Sequence, residues 1–177
     1  MTRGHTVLQV PVPELEPFVL ARTAYYDTDY LSDDPSFAHA HVTALGPFLP
    51  EPDAEAAATV ARIVAGTTAF DFALTRVATF PNGIIHLVPE PDDSFRELTR
   101  RLAEAFPQCP PYAGQFADVR PHLTLDARSD AVTEESTREL LGDLVPARCR
   151  AGRLDLAWYA PRDCRVLRSW ALAGERR

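Results

Sequence analysis

The sequence of 177 residues contains no lysine, because all 18 of its basic residues are arginine. This absence excludes chemistry that depends on the lysine side chain, such as a Walker A phosphate site, a Schiff base or a lysine-adenylate intermediate. Any phosphate group that the protein handles must therefore be held by arginine, hydroxyl groups, histidine or backbone amides.

Cysteine is scarce, and long hydrophobic runs are missing. The three cysteines, Cys109, Cys149 and Cys164, are an odd number without a CxxC pair, which argues against a disulfide framework and a thiolate zinc site. No apolar run approaches the roughly 20 residues that span a membrane, and the first residues lack the apolar segment of a signal peptide. With 46% hydrophobic and 24% charged residues, we expect a soluble, monomeric, cytoplasmic protein without membrane contact.

The net charge of −7 is distributed unevenly along the chain. Residues 1–88 carry a net charge of −6, whereas the stretch 148–177 carries +5. An acidic protein is a poor binder of nucleic acid in general, since such binding depends on basic surface. The local basic stretch still allows contact with one phosphate or a short oligonucleotide.

The alternation of apolar and polar residues predicts both strands and helices. Both halves of the chain, about 5–89 and 90–173, follow the order helix, loop, strand, helix, strand, strand. This order indicates a diverged internal duplication within a single domain that covers residues 1–177. The predicted strands cover 5–12, 39–45, 70–80, 84–89, 120–128, 153–161 and 164–173, the helices 13–27, 53–66, 92–106 and 133–145, and the long loops 28–37 and 108–119.

A short pattern, His-x-Thr, recurs at the same place in the two halves. His41 and Thr43 form the first copy, and His122 and Thr124 form the second, 81 residues later. Because side chains at positions i and i+2 of a strand point to the same face, each copy projects an imidazole and a hydroxyl side by side. Two such strands brought together would place two histidines and two threonines around one cleft.

This set of side chains is suited to opening a phosphodiester without a metal ion. One neutral histidine can take a proton from water or a hydroxyl, and the other, protonated, can give a proton to the leaving oxygen. The threonine hydroxyls can donate hydrogen bonds to the non-bridging oxygens, where charge builds up. Positioning and electrostatics carry most of phosphoryl chemistry, so no covalent nucleophile is required.

Longer stretches of the sequence carry a resemblance to a known family. HVTALGPF, and FPNGIIHLVPEPDDSFRELTRRLAEAFP followed by VRPHLTL, resemble the 2H (two-histidine) phosphoesterase superfamily in its bacterial 2′-5′ RNA ligase-like branch, over residues 5–172. The resemblance implies a bilobal α+β fold with pseudo-two-fold symmetry, in which antiparallel sheets line a central cleft and helices lie outside. It also implies hydrolysis of 2′,3′-cyclic phosphates, or 2′-5′ transesterification, without a metal, ATP or another cofactor.

The resemblance also implies roles for individual residues. By motif position, His41 and His122 take the acid and base roles, and Thr43 and Thr124 contact the phosphate. The expected substrate is a small nucleotide or a short RNA end. Departures from the family pattern at Ala44, Gly46 and Arg128 bear on substrate shape. Further candidate substrate contacts are Arg120 for phosphate, Arg128, and Phe48 and Tyr112 for stacking on a base.

Two other readings of the histidines stay open. His39 and His41 have a spacing known from zinc sites, and with His122 they could form a metal-dependent hydrolase, although no carboxylate is suitably spaced. The chain could also be a binding module without catalysis that recognises a nucleotide or a phosphorylated metabolite. His5 and His86 are interpreted as structural, with His86 as a residue that could edge the cleft. The sequence does not say which catalytic histidine is the acid.

Overall fold

Eight strands form one curled antiparallel sheet at the centre of the protein. The structure is a computed structural model that describes residues 4–115 and 118–175. Phe116 and Ala117 of the predicted loop 108–119 therefore lie outside the described residues. The strands are β1 (His5–Pro11), β2 (His41–Leu45), β3 (Phe70–Thr79), β4 (Ile84–Glu90), β5 (Leu123–Ala127), β6 (Ala147–Ala151), β7 (Arg153–Tyr159) and β8 (Arg165–Ala171).

The order of the strands across the sheet is β6-β3-β4-β5-β2-β1-β7-β8, and every neighbouring pair is antiparallel. Strands β2 and β5 are the central pair. Strand β2 contains His41 and Thr43, whereas β5 begins directly after His122 and contains Thr124. Four strands lie on each side of the line between them. Each side contains two strands from each half of the sequence. The two sides of the sheet therefore do not correspond to the two halves of the sequence.

Four α-helices lie outside the sheet, as the sequence predicted. Asp53 caps the second helix by accepting a hydrogen bond from the backbone of Ala56, and Thr133 forms a capping box with Ser136 at the start of the fourth. No helix within the described residues is both long and apolar enough to cross a membrane. The helices are α1 (Glu16–Tyr26), α2 (Ala54–Ala65), α3 (Asp93–Ala105) and α4 (Glu134–Leu141), with 3-10 turns at Pro13–Leu15, Thr28–Tyr30, Pro111–Gly114 and Gly142–Leu144.

One strand was not predicted from the sequence. Strand β6 forms an edge of the sheet and pairs with β3 from Leu74 to Phe70. Its residues alternate between buried and exposed, but the buried ones are alanine and cysteine, with Arg148 and Arg150 between them. Such small side chains give a weak hydrophobic alternation, which explains why the strand escaped notice. The predicted α+β class with antiparallel strands and outer helices is confirmed.

Helices α1 and α3 each hold one of the two central strands. Arg22 of α1 forms an ion pair with Asp126 of β5, and the two side chains are 15% and 1% exposed. Thr99 of α3 donates a hydrogen bond of 2.7 Å to the carbonyl of Ala44 in β2. Helix α1 belongs to the first half of the sequence and contacts β5 of the second half. Helix α3 belongs to the second half and contacts β2 of the first. The crossed contacts fix the two central strands relative to each other.

We expect Arg22→Met to lower the free energy of unfolding by about 3–5 kcal/mol, because Asp126 would keep a buried charge without its partner. Urea unfolding of the purified protein measures this loss. Glu104→Gln is the matched control, since it breaks an ion pair with Arg100 whose side chains are 64% and 53% exposed. That control should cost much less, because exposed ion pairs contribute little to stability. Equal losses in both variants would contradict the structural role of Arg22.

Candidate active site

The two His-x-Thr copies meet at the centre of the sheet. Strands β2 and β5 pair at Val42 and Leu123, whose side chains are fully buried in the core. In this antiparallel register His41 lies opposite Thr124, and His122 lies opposite Thr43. All four side chains point to the face away from the core, because they flank Val42 and Leu123 in their strands. Directly opposite residues have Cβ atoms about 4.5–5.5 Å apart, so the histidines and threonines occupy alternate corners of one small rectangle.

Backbone carbonyls orient both catalytic candidates. Nδ1 of His41 lies 3.1 Å from the carbonyl oxygen of His39, and Nδ1 of His122 lies 2.8 Å from that of Arg120. Since a carbonyl oxygen only accepts hydrogen bonds, Nδ1 carries the proton in each neutral ring. Nε2 is then unprotonated, so each neutral ring can accept a proton there.

The surroundings keep both histidines neutral near pH 7. Burial of the ring lowers the pKa of His41 to about 4, and the charge that His122 can carry acts in the same direction. Burial also lowers the pKa of His122 below its usual value. Both rings therefore start as proton acceptors in the free protein.

Tyr112 is brought to the same place from the 3-10 turn before β5. A hydrogen bond joins its side chain to that of Thr43. Its ring stacks on that of His122, with centroids 6.1 Å apart. Its backbone N–H donates to the carbonyl of Gly46 at 2.7 Å, which ties the turn to the end of β2. The structure thus places Tyr112 beside one histidine and one threonine of the site.

The two sides of the cleft differ in size and polarity. A cavity of about 510 Å³ with mainly apolar walls lies on the His122 side. A cavity of about 210 Å³ lies on the His41 side and includes Thr124. The larger cavity is lined by Phe80, Pro81, Asn82, Ile84, Tyr112, Asp118, Val119, Arg120 and His122, and the smaller one by Val19, Thr23, Tyr26, Asp27, Tyr30, Phe37, His39, His41, Thr124 and Tyr159.

The other predicted substrate contacts lie in different places. Arg120 lines the larger cavity, but its Nε donates to Asp118 at 3.2 Å, so a carboxylate already neutralises part of its charge. Arg128 is exposed just beyond the end of β5, and its backbone N–H donates to Gly83. Phe48 is only 5% exposed and packs edge-to-face on Phe106 in the core. The structure therefore corrects the assignment of Phe48, which is not available to stack on a base.

His39 is occupied by structural hydrogen bonds. Its Nδ1 donates to Glu16 at 2.7 Å, and its Nε2 accepts from the backbone of Ser32 at 3.1 Å. The same carboxylate accepts the backbone N–H groups of His39 and Ala40. With both ring nitrogens engaged, His39 cannot join His41 as a metal ligand unless these bonds break. Across residues 4–115 and 118–175, no group of three or more His, Cys, Asp or Glu side chains is arranged to hold a metal ion.

Two residues near the site were not singled out as functional by the sequence. His86 lies opposite Thr124 on β4 and is 4% exposed, and its ring centroid is 5.4 Å from that of His122. It also stacks on Phe80, with centroids 3.8 Å apart. Tyr159 at the end of β7 has its ring centroid 6.1 Å from that of His41. His86 had a visible signal, its position in the middle of a strand, whereas Tyr159 had none.

Comparison with known proteins gives a family and a fold. A sequence model of the 2′-5′ RNA ligase superfamily matches residues 11–163. The crystal structure of Escherichia coli LigT complexed with 3′-AMP has a TM-score of 0.59 at 18% identity, over 97% of this chain and 99% of that one. The crystal structure of TT0787 of Thermus thermophilus has a TM-score of 0.62 at 20% identity, over 97% and 100%. At these identities the likeness shows a shared fold. No curated protein sequence matches the chain.

The low pKa of His41 predicts a pH-dependent stability. The unfolded chain protonates this residue near its ordinary pKa of 6.5, whereas the folded protein does so only near 4. The stability that depends on neutral His41 is therefore complete above pH 6.5 and is lost as the pH falls towards 4. We expect the loss from this group to reach up to about 3 kcal/mol at pH 4. Urea unfolding from pH 7 to pH 4 should show a flatter curve for His41→Asn than for the unaltered protein, and parallel curves would contradict this origin.

Proposed function

The chain belongs to the 2′-5′ RNA ligase superfamily, and we propose that it is a metal-independent phosphodiesterase for small nucleotides or short RNA ends. Its substrates in this proposal carry a 2′,3′-cyclic phosphate or a 2′-5′ linkage. Family and fold support a phosphoesterase-type function. The observation that carries the finer proposal is the meeting of His41, Thr43, His122 and Thr124 on one face of the central strand pair.

The geometry favours His41 as the base and His122 as the acid. The pKa of His41 is about 4, so its ring is neutral above that pH. The neutral ring is protonated on Nδ1, so Nε2 can take a proton from water. The oxygen of that water forms a bond to phosphorus as the bond from phosphorus to the 3′ oxygen breaks. The anionic phosphate favours the protonated form of a nearby imidazole, so His122 is charged in the complex and gives its proton to the 3′ oxygen. The product is a 2′-phosphate monoester.

The threonines hold the phosphate without adding charge. Their hydroxyls can donate to the two non-bridging oxygens, where negative charge increases in the transition state. In the hydrogen bond between Tyr112 and Thr43, the Tyr112 hydroxyl can donate to the Thr43 oxygen, which leaves the Thr43 proton for the phosphate. Such preorganised donors act strongly in a partly buried site, because little water competes with them.

The larger cavity supports a substrate with an aromatic base. Its apolar walls include the rings of Phe80 and Tyr112, and it adjoins His122, which protonates the leaving oxygen. A nucleoside placed there leaves the smaller cavity beside His41 for the attacking water. LigT, a structural neighbour, has been crystallised with 3′-AMP, ATP and NADP+, which agrees with nucleotide binding by this fold.

We expect His41→Ala and His122→Ala each to lower kcat by at least about 10²–10⁴, the usual contribution of a positioned acid or base. Thr43→Ala and Thr124→Ala should each cost about 10²–10³, as for oxyanion donors. The assay is hydrolysis of adenosine 2′,3′-cyclic phosphate, with the product identified, over a range of pH. The profile of kcat/KM should be bell-shaped, with its acid limb near pH 4 and its basic limb set by His122.

The matched control for the threonine variants is Thr75→Ala on an exposed position of β3, which should keep full activity. Full activity in either histidine variant would refute the assignment. Binding without turnover in the unaltered protein would favour a binding module instead. Activity that a chelator abolishes and zinc restores would contradict metal independence.

The nucleoside placement predicts a separate effect at Phe80. Phe80→Leu removes the aromatic wall of the larger cavity, and base stacking is worth about 1–3 kcal/mol. We expect KM for adenosine 2′,3′-cyclic phosphate to rise about tenfold or more, with a smaller change in kcat. Tyr25→Leu is the control, since Tyr25 is 66% exposed on α1. An unchanged KM in Phe80→Leu would place the base elsewhere.

A further inference from the structure

The ring of His41 has polar neighbours besides the carbonyl of His39, among them the backbone of Ala38 and the hydroxyl of Tyr159. The hydroxyl oxygen of Tyr159 lies 3.5 Å from Nδ1 of His41. The two ring centroids are 6.1 Å apart and tilted by 53°. Tyr159 thus faces the edge of His41 that carries the proton in the neutral ring.

The direction of the Tyr159 hydroxyl is set by Gln9. The phenolic proton is donated to Oε1 of Gln9 at 2.6 Å. Gln9 is fully buried, and its Nε2 donates to the carbonyl of Ala38 at 3.2 Å, so its amide cannot turn over without losing this bond. With its proton used on Gln9, the Tyr159 oxygen presents its lone pairs to His41. It is therefore an acceptor for the Nδ1–H group, like the carbonyl of His39.

We propose that Tyr159, held by Gln9, is a positioning residue for His41. It keeps the imidazole in the form protonated on Nδ1, with Nε2 free for the cleft, and it stabilises the imidazolium that forms when His41 takes a proton from water. This inference rests on the proposed function of the site. The arrangement supplies neutral acceptors, a phenol and the backbone carbonyls of His39 and Ala38, where a carboxylate would hold the charge more strongly.

The contact is specific to one half of the site. Two rings that lie near His122 are those of Phe80, which offers no hydroxyl, and Tyr112, with centroids 4.9 and 6.1 Å from that of His122. The side chain of Tyr112 is hydrogen-bonded to Thr43. Nδ1 of His122 donates a hydrogen bond to the carbonyl of Arg120. A change at Tyr159 should therefore affect the proton equilibrium of His41 and leave that of His122 alone.

Several other titratable groups surround His41 and stay in place when Tyr159 is altered. His39 and Glu16 lie on the side of the preceding segment, His122 comes from β5, and Asp27, Tyr26 and Tyr30 line the same cavity. Glu16 favours the protonated form of His41, and His122 disfavours it. Because these groups are common to both proteins, a comparison of Tyr159→Phe with the unaltered chain isolates one acceptor.

The test is the pH dependence of kcat/KM for adenosine 2′,3′-cyclic phosphate in Tyr159→Phe. Loss of an acceptor from the forming imidazolium should move the acid limb to lower pH and lower kcat about tenfold, with little change in KM. ¹⁵N NMR of the imidazole nitrogens should show His41 protonated on Nδ1 in the unaltered protein, and a measurable fraction protonated on Nε2 in the variant. Tyr25→Phe, at an exposed position of α1, should change none of these values.

Gln9→Met provides a second, independent variant. It removes the acceptor of the phenolic proton, so the Tyr159 hydroxyl is free to turn its proton towards His41, and the acid limb should again move to lower pH. If Tyr159→Phe does not fold, the Gln9→Met variant still tests the inference.

An acid limb and ¹⁵N spectrum that are unchanged in a folded Tyr159→Phe or Gln9→Met protein would overturn the inference. The NMR measurement needs no substrate, so it tests the contact with His41 even if the unaltered protein turns over no cyclic phosphate. Failure of the proposed function and failure of this inference therefore give different results.

Discussion

The pairing of β2 with β5 at Val42 and Leu123 is the contact on which the rest of the site depends. Side chains alternate along a strand, so a shift of one residue in either strand would turn its histidine and threonine into the core. The buried side chains of Val42 and Leu123 prevent that shift, because their exposure would cost apolar burial on the other face. The crossed contacts of α1 with β5 and of α3 with β2 hold the same pair from outside. The arrangement of the two histidines and two threonines is thus fixed by core packing rather than by bonds among them.

In the proposed function, an anionic substrate enters this site without long-range attraction. The chain has a net charge of −7 and no lysine, and burial keeps both central histidines neutral in the free protein. Binding then depends on hydroxyl donors, on an apolar wall and on the proton that one histidine gains when phosphate arrives. Arg120 lines the larger cavity, but Asp118 already neutralises part of its charge. A permanent cation binds substrate and product alike, whereas a proton taken up with the substrate can be passed to the leaving group. The absence of lysine and the lowered pKa values of His41 and His122 have the same effect, because both reduce the positive charge of the free protein.

Sequence reasoning reached the parts of the structure that depend on local pattern. The His-x-Thr spacing gave the face on which His41 and Thr43 lie, and the repeated order of elements, with the family resemblance, gave the α+β class that the structure confirms. It did not reach contacts made by distant segments. Tyr159 lies 118 positions after His41 and meets it through the pairing of β1 with β7, which no local pattern shows. Phe48 was misplaced because an apolar residue after a Gly-Pro turn can face either the cleft or the core.

The duplication explains why two similar halves can have different roles. Gln9 of β1 is paired with Thr43, and His86 of β4 is paired with Thr124. The two residues therefore occupy corresponding positions in the strands next to the central pair. In the first half the amide of Gln9 directs a phenol at His41, while in the second His86 stacks on Phe80 beside His122. A symmetric pair of histidines would have no preference for acid or base. The neighbouring residues differ between the two, because the hydroxyl of Tyr159 lies beside Nδ1 of His41, whereas the side chain of Tyr112, which stacks on His122, is bonded to Thr43. In the proposed mechanism, the assignment of base and acid therefore follows from side chains that do not touch the substrate.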